Sequence, residues 1–209
     1  NLHEFYMVRV AFMRRALKSG AAITGPDGMT PRQLLDSSRE KAMELMDRAN
    51  RCWSDDVLPA LRASSIDILD PSRLTDDDRE YLAAYFREQV LPVLTPMVLD
   101  ATHPFPLLTS GAIYLLLRVA ARSDVKDSFF SKADTVLVQV PSGLGRFVAL
   151  PHREGQSRFI LLEDMVTLFA GEIVNSYDIN NVHHFRITRD AELFLDDDRS
   201  DDLIIAIQE

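Results

Sequence analysis

The sequence is poor in cysteine and in long apolar runs, and each shortage excludes a class of protein. Cys52 is the single cysteine among 209 residues, which excludes an internal disulfide framework and a cysteine-rich zinc site. We expect its thiol to be reduced on a buried helix face, as in a cytoplasmic protein. No apolar run approaches the roughly 20 residues of a membrane-spanning helix, and no charged-then-apolar leader is visible.

Basic residues are outnumbered, 23 against 32 acidic ones, and the formal net charge is −9. Such a balance disfavours non-specific binding of nucleic acid, because like charges repel. The charge is unevenly distributed, with acidic runs at 75–80 ("TDDDRE") and 196–202 ("DDDRSDD"). Four basic residues cluster early in the chain: Arg9, Arg14, Arg15 and Lys18. A local basic face of this kind can still meet phosphate groups.

The first third of the chain has helical periodicity. Apolar residues recur at near-helical spacing over 2–17, and glycine and proline interrupt the pattern over 18–29. Thr30, Pro31 and Gln33 form a start signal, because threonine can cap, proline suits the first helical position and glutamine can close a capping box. The helix that follows is predicted to reach about residue 59. Two helices joined by a loop predict a helical hairpin or bundle.

The remainder changes character after 63–74, where a short β-like piece and a proline turn replace the helical period. Four β-rich runs follow, at 112–120, 135–141, 146–150 and 158–162. Helical spacing then returns over 163–174, strand-like alternation marks 182–190, and a helix start marks 200–209. The pattern predicts an α+β protein: a helical N-terminal part over 1–64 and a mixed α/β head domain over 65–209.

No motif of catalytic or metal-binding chemistry stands out. The five histidines are His3, His103, His152, His183 and His184. Their spacing matches no metal motif, and the adjacent pair at 183–184 is predicted to point to opposite faces of a strand. Arg186 and Arg189 can clamp a phosphate, although pairing with an aspartate or simple solvation is the plainer interpretation. Asn1 has an amide that suits an adenine edge, but a terminal Asn is more often merely exposed.

Four separated blocks carry a family resemblance. They are "NLHEFYMVRV" (1–10), "DGMTPRQLL" (27–35), "YFREQVLPVLTPMVLDATHPFPLLTSGAIYLLLRV" (85–119) and "HHFRITRDAELFLDDD" (183–198). In this order they resemble the N-L-D-E-F, D-G-L-T-P, H-P-F-P and F-R-I-T-R blocks of polyphosphate kinases of the phospholipase D-like type. The resemblance extends over nearly the whole chain.

The resemblance implies an enzyme that reversibly transfers the terminal phosphoryl group of ATP to polyphosphate, through a phosphohistidine and with magnesium. It implies ATP or ADP and polyphosphate as partners, a dimer formed by the head domain, no nucleic-acid partner, and nothing about membranes. The family's catalytic histidine belongs to C-terminal domains that no segment here matches, so we assign this chain no catalytic or metal residue. The asparagine of the N-L-D-E-F block, which contacts ATP near the adenine, maps onto Asn1.

One departure and two alternatives accompany this interpretation. His3 stands where the family usually has aspartate, which either weakens the Asn1 site or is a neutral surface change. The chain begins without methionine and stops within a helical pattern, so we expect a fragment cut at both ends and inactive alone. The alternatives are a non-catalytic protein-interaction module and a degenerate member of the family.

Overall fold

The computed structural model describes residues 2–20, 28–99, 105–121, 134–152, 155–175 and 177–189. The α-helices are α1 (Leu2–Phe5), α2 (Ala11–Lys18), α3 (Pro31–Arg51), α4 (Leu58–Ala63), α5 (Asp76–Tyr85), α6 (Leu162–Leu168) and α7 (Ala170–Ile173). Wider π-helical turns follow α1, α3 and α5, at Tyr6–Val10, Cys52–Val57 and Phe86–Val90. The strands are β1 (Ile66–Leu69), β2 (Pro96–Leu99), β3 (Ile113–Ala121), β4 (Thr135–Gln139), β5 (Phe147–Ala149), β6 (Ser157–Leu161) and β7 (Tyr177–Arg186).

These elements confirm the predicted α+β class, with helices first and sheets after them. The chain divides into two compact units. The helical unit comprises residues 1–48 and 188–209, and the sheet unit comprises residues 49–187. The helix predicted over 200–209 lies outside the described residues.

In the helical unit, the start signal of α3 works as its residue types require. The Thr30 backbone N–H donates to Gln33 Oε1 at 2.9 Å, and the Gln33 N–H donates to Thr30 Oγ1 at 3.3 Å. This reciprocal pair is a capping box, with Pro31 as the first helical residue. The described part of the helical unit has a small apolar interior, whose buried residues are Val10, Ala16 and Ala42.

The expectation that Cys52 lies on a buried helix face is wrong. Cys52 is exposed, and Trp53 and Met46 keep 41% and 54% of their surface accessible. Among the described residues of α3, Ala42 is the one buried side chain, so the apolar stripe of this helix borders solvent. Helical periodicity shows that a face is apolar, but packing decides whether that face is covered.

Two sheets form the sheet unit. One has the strand order β1-β6-β5, with β1 parallel and β5 antiparallel to β6. The other is antiparallel throughout, in the order β2-β4-β3-β7. The main apolar core joins one face of this four-stranded sheet to α5 and α6, with Leu115, Phe86 and Met165 fully buried.

The start of α5 is fixed twice. Thr75 and Asp78 form a second capping box, at the point where three aspartates follow a threonine. Asp78 also accepts two hydrogen bonds from the Arg158 guanidinium on β6, one of them at 2.9 Å. Both side chains are buried, with 2% and 6% of their surface exposed. This bidentate ion pair holds the pKa of Asp78 well below its usual range.

A smaller core covers the other face of the four-stranded sheet, around Leu108, Tyr114 and Leu137. The Tyr114 ring stacks on Phe185 at a centroid distance of 5.7 Å. The Tyr114 hydroxyl accepts from the Thr109 backbone N–H at 2.8 Å and donates to Gln139 Oε1 at 2.9 Å. One buried hydroxyl therefore ties a loop to strand β4.

We expect Tyr114→Phe to lower the free energy of unfolding by about 1–3 kcal/mol, because it deprives two polar groups of their partner. Urea unfolding followed by circular dichroism measures the loss. Tyr81→Phe is the matched control, since Tyr81 is 42% exposed, and it should change stability by less than about 0.5 kcal/mol. Equal effects of the two substitutions would contradict the role of the Tyr114 hydroxyl.

Candidate functional site

A groove of about 1010 Å³ lies in the helical unit. It is lined by the π-helical turn at Tyr6–Val10, by α2, by the first turns of α3 and by Thr188. The charged residues of its lining are Arg14, Arg15, Lys18, Arg32, Arg39 and Asp36. Five cationic side chains against one carboxylate make it a cationic groove on a chain whose net charge is −9. Such a concentration of positive charge favours an anionic ligand.

Within the part of the chain that the structure describes, carboxylates compensate little of the positive charge of this groove. Arg14, Lys18, Arg32 and Arg39 are exposed, and within the described ranges none of the four forms an ion pair with a carboxylate. Elsewhere the described arginines pair readily, as Arg87 does with Glu172 at 2.8 Å. Charges left without partners can bind a ligand without first breaking a salt bridge.

Helical spacing places these side chains together. Arg14 and Lys18 are four residues apart on α2, and Arg32 and Arg39 are seven apart on α3, so each pair lies on one helix face. The capping box fixes where α3 begins and therefore where Arg32 falls. No acidic residue occupies the first turn of α3, where a carboxylate would complement the helix dipole.

The structure brings the first and last blocks of the family resemblance together. His3 Nδ1 lies 3.1 Å from Thr188 Oγ1, a hydrogen-bonding distance between residues 185 positions apart. Thr188 also lines the cationic groove. Asn1 lies outside the described residues, and Arg9 is exposed without lining the groove. The opening block is therefore next to the groove through His3 and Thr188.

The two histidines of β7 point to opposite faces of the sheet. His184 Nε2 lies 2.7 Å from Thr167 Oγ1 of α6, on the face of the main core. Its neighbour Phe185 stacks on Tyr114 on the opposite face. The predicted alternation of this strand is confirmed, and His183, opposite Leu116, is exposed.

Two carboxylates at the start of α6 form a separate titratable cluster. Arg146 Nε donates to Glu163 Oε1 at 2.9 Å, and Glu163 Oε2 is a buried atom without a hydrogen-bond partner among the described residues. Burial, with the neighbouring Glu163 charge adding to it, raises the pKa of Asp164. In the part of the chain that the structure describes, no three His, Cys, Asp or Glu side chains converge as a metal site would require.

Two family models match the chain. Residues 1–69 match the polyphosphate kinase N-terminal domain, and residues 77–209 match the polyphosphate kinase middle domain. The chain belongs to the polyphosphate kinase family. The resemblance carried by the four sequence blocks is thereby confirmed. The helix residues that line the cationic groove fall in the N-terminal domain match, and Thr188 falls in the middle domain match.

Similar proteins agree with this assignment. The polyphosphate kinase of Mycolicibacterium gilvum (strain PYR-GCK) is 36% identical over 211 residues, which are 100% of this chain and 28% of that protein. The polyphosphate kinase of Bacillus anthracis is 37% identical over 211 residues, again 100% of this chain and 30% of that protein. This chain therefore spans under a third of the length of these relatives.

A solved structure confirms the fold. The crystal structure of polyphosphate kinase from Porphyromonas gingivalis matches with a TM-score of 0.77 and 27% sequence identity, over 94% of this chain and 28% of that one. Among the described residues, no helix is both long enough and apolar enough to cross a membrane.

The sequence pattern indicated three of the five cations of the groove. The early cluster of Arg14, Arg15 and Lys18 was visible as a basic face. Arg32 and Arg39 were missed, although their spacing of seven residues after the capping box is a helical signal. The contact of His3 with Thr188 joins distant segments, and no local pattern could have indicated it.

Proposed function

We propose that this chain is part of an enzyme that reversibly transfers the terminal phosphate of ATP to polyphosphate through a phosphohistidine. The observation that carries the proposal is the match to the N-terminal and middle domain models in chain order. The relatives that match the whole chain have the name polyphosphate kinase. In this proposal residues 1–64 form the later part of the helical N-terminal domain, and residues 65–209 belong to the head domain.

This portion supplies nucleotide-end contacts and a dimerisation surface, and the phosphorylated histidine belongs to other domains. No residue here is therefore proposed as catalytic, and the 209-residue chain alone should be inactive. Magnesium belongs to the proposed activity of the full-length enzyme, and we propose no residue of this chain as its ligand. Cytoplasmic location belongs to the same proposal.

The head-domain dimer is supported by apolar side chains on the surface of the sheet unit. Val93, Phe105 and Leu107 keep 54%, 68% and 75% of their surface exposed. A dimer interface that covered such side chains would remove apolar surface from water.

Asn1 is the proposed adenine contact. Its amide can both donate to and accept from an adenine edge. The position of His3 beside Thr188 supports a site at this end of the helical unit, because it brings the opening block to the cationic groove.

We expect the full-length protein to make polyphosphate from ATP and magnesium, and Asn1→Ala to raise the KM for ATP. Loss of a neutral hydrogen bond worth about 0.5–1.5 kcal/mol corresponds to a roughly 2- to 10-fold increase. The ratio of kcat/KM for ATP to that for GTP should fall as well, because the lost contact is with the base. Steady-state synthesis of polyphosphate measures both quantities.

Two controls make this test specific. Arg48→Gln, an exposed substitution on α3 outside the groove, should leave the ratio of ATP to GTP unchanged. The 209-residue chain incubated alone with ATP and magnesium should yield no polymer. Polymer made by the chain alone would overturn its assigned role, and an unchanged ratio in Asn1→Ala would overturn the adenine contact.

A further inference from the structure

We propose that the cationic groove of the helical unit binds an extended phosphoanhydride chain, the polyphosphate polymer, at several phosphates at once. This inference rests on the proposed function for the identity of the polymer. The groove itself is defined by the structure, through its volume of about 1010 Å³ and its five cationic side chains. It is a binding site for polymer, and no step of phosphoryl transfer is assigned to it.

The spacing of the cations suits a linear ligand. Along α3, Arg32 and Arg39 are separated by about 10 Å, and along α2, Arg14 and Lys18 by about 6 Å, at a rise of about 1.5 Å per residue. A single phosphate cannot reach cations spread over this distance. A chain of linked phosphates can contact them in succession, and arginine can bind each phosphate with two parallel N–H groups.

Among the described residues, the exposed cations of the groove also have no carboxylate partners that would compete with such a ligand. Like charges at helical spacing repel one another on both helices. Asp36, the one carboxylate among the described lining residues, is exposed and forms no ion pair with any of them. Binding of a polyanion therefore relieves repulsion between the groove cations and releases the counterions that screen them.

Polyphosphate fits this groove better than nucleic acid does. Among the described residues that line it, Tyr6 is the one aromatic side chain, whereas single-stranded nucleic acid is held by successive bases stacked on aromatic rings. The net charge of −9 also disfavours a bulky polyanion that touches much of the surface. A thin chain that stays within the groove avoids most of that repulsion.

The test compares two double variants of the full-length protein. Arg32→Gln with Arg39→Gln removes two groove cations seven residues apart. Lys41→Gln with Arg48→Gln removes two exposed cations of the same helix, at the same spacing and outside the groove. Glutamine keeps helix propensity close to that of arginine and lysine. Isothermal titration calorimetry then measures binding of long-chain polyphosphate, tripolyphosphate, ATP and a single-stranded RNA, without magnesium.

We expect long-chain polyphosphate to bind more tightly than tripolyphosphate or RNA. The Arg32/Arg39 variant should weaken polymer binding roughly tenfold, as the loss of two exposed charge contacts predicts. Its slope of log K against log salt should become shallower by about two. The Lys41/Arg48 variant should bind as the unaltered protein does.

Three results would overturn the proposal. Equal loss in the two double variants would show that only overall charge matters. Tripolyphosphate or ATP bound as tightly as the long polymer would assign the groove to the phosphates of a nucleotide, and tighter binding of RNA would assign it to nucleic acid.

Synthesis of polyphosphate is measured separately, so that failure of this inference can be told from failure of the proposed function. If the enzyme is active and the Arg32/Arg39 variant binds long-chain polyphosphate as the unaltered protein does, this inference alone is contradicted. An inactive protein that still binds polymer through the groove contradicts the proposed function alone.

Discussion

Asp78→Asn is expected to lower the free energy of unfolding of the sheet unit by about 3–5 kcal/mol, because it leaves a buried arginine without its counterion. The Arg158 guanidinium is 6% exposed and donates to both carboxylate oxygens of Asp78. Asparagine keeps an oxygen that can accept from the Thr75 N–H, which lies 3.1 Å from Asp78 Oδ2. The decrease in unfolding free energy therefore results mainly from removing the negative charge of Asp78. Urea unfolding followed by circular dichroism measures it.

Two further variants isolate that effect. Asp77→Asn alters an exposed carboxylate in the same first turn and should cost no more than about 1 kcal/mol through the helix dipole. Asp78→Asn combined with Arg158→Met removes both charges and should be more stable than Asp78→Asn alone. A double variant as unstable as the single one would show that the ion pair is not the cause.

The same pair makes stability depend on pH in a defined direction. The pKa of Asp78 is lowered in the folded state by the Arg158 guanidinium, whereas the pKa of an aspartate in the unfolded chain is about 3.9. The stabilisation is therefore complete above that unfolded value and is lost as the pH falls toward the lower folded value. In the Asp78→Asn/Arg158→Met variant, this contribution to the pH dependence of the unfolding free energy should be absent, and acid unfolding measures the difference.

Phe86→Ala should cost about 3–5 kcal/mol of unfolding free energy, because it removes a large ring from a closed core. Phe86 is 0% exposed and lies against the Phe169 ring at a centroid distance of 5.2 Å. The surrounding core spans α5, α6 and the four-stranded sheet, so little of the resulting cavity can be filled by local collapse. Thermal unfolding by calorimetry measures the change.

Two further phenylalanine substitutions test whether the effect of Phe86→Ala arises from its burial. Phe147→Ala removes the same ring from a position that is 51% exposed and should cost far less. Phe86→Leu retains much of the buried volume and should give a smaller loss, and it serves if the alanine variant does not fold. Similar losses for Phe86→Ala and Phe147→Ala would contradict the assignment of Phe86 to the core.

Local signals in the sequence were sufficient where the structure is locally determined. The capping box at Thr30 was predicted from residue types three positions apart, and it is present. Strand β7 is different: it was predicted to begin at 182 and begins at Tyr177. Its pairing with β3 is irregular between Arg118 and Val119, where an extra residue changes the alternation of faces. A period of two cannot be recognised across such a bulge.

The site required information that no single segment contains. Spacing alone can show that Arg32 and Arg39 share a helix face, but not that this face meets the one carrying Arg14 and Lys18. The exposure of Cys52 was mispredicted for the same reason, since the covering of an apolar stripe depends on elements distant in sequence. The ion pair between Asp78 and Arg158 joins residues 80 positions apart and leaves no periodic trace.

The cationic groove has a kinetic consequence as well. A chain of net charge −9 repels an approaching polyanion on average, while the five cations of the groove attract it at one place. Encounters are thereby steered to the groove instead of being spread over the surface. The association rate of a polyanion with this protein should thus depend strongly on ionic strength.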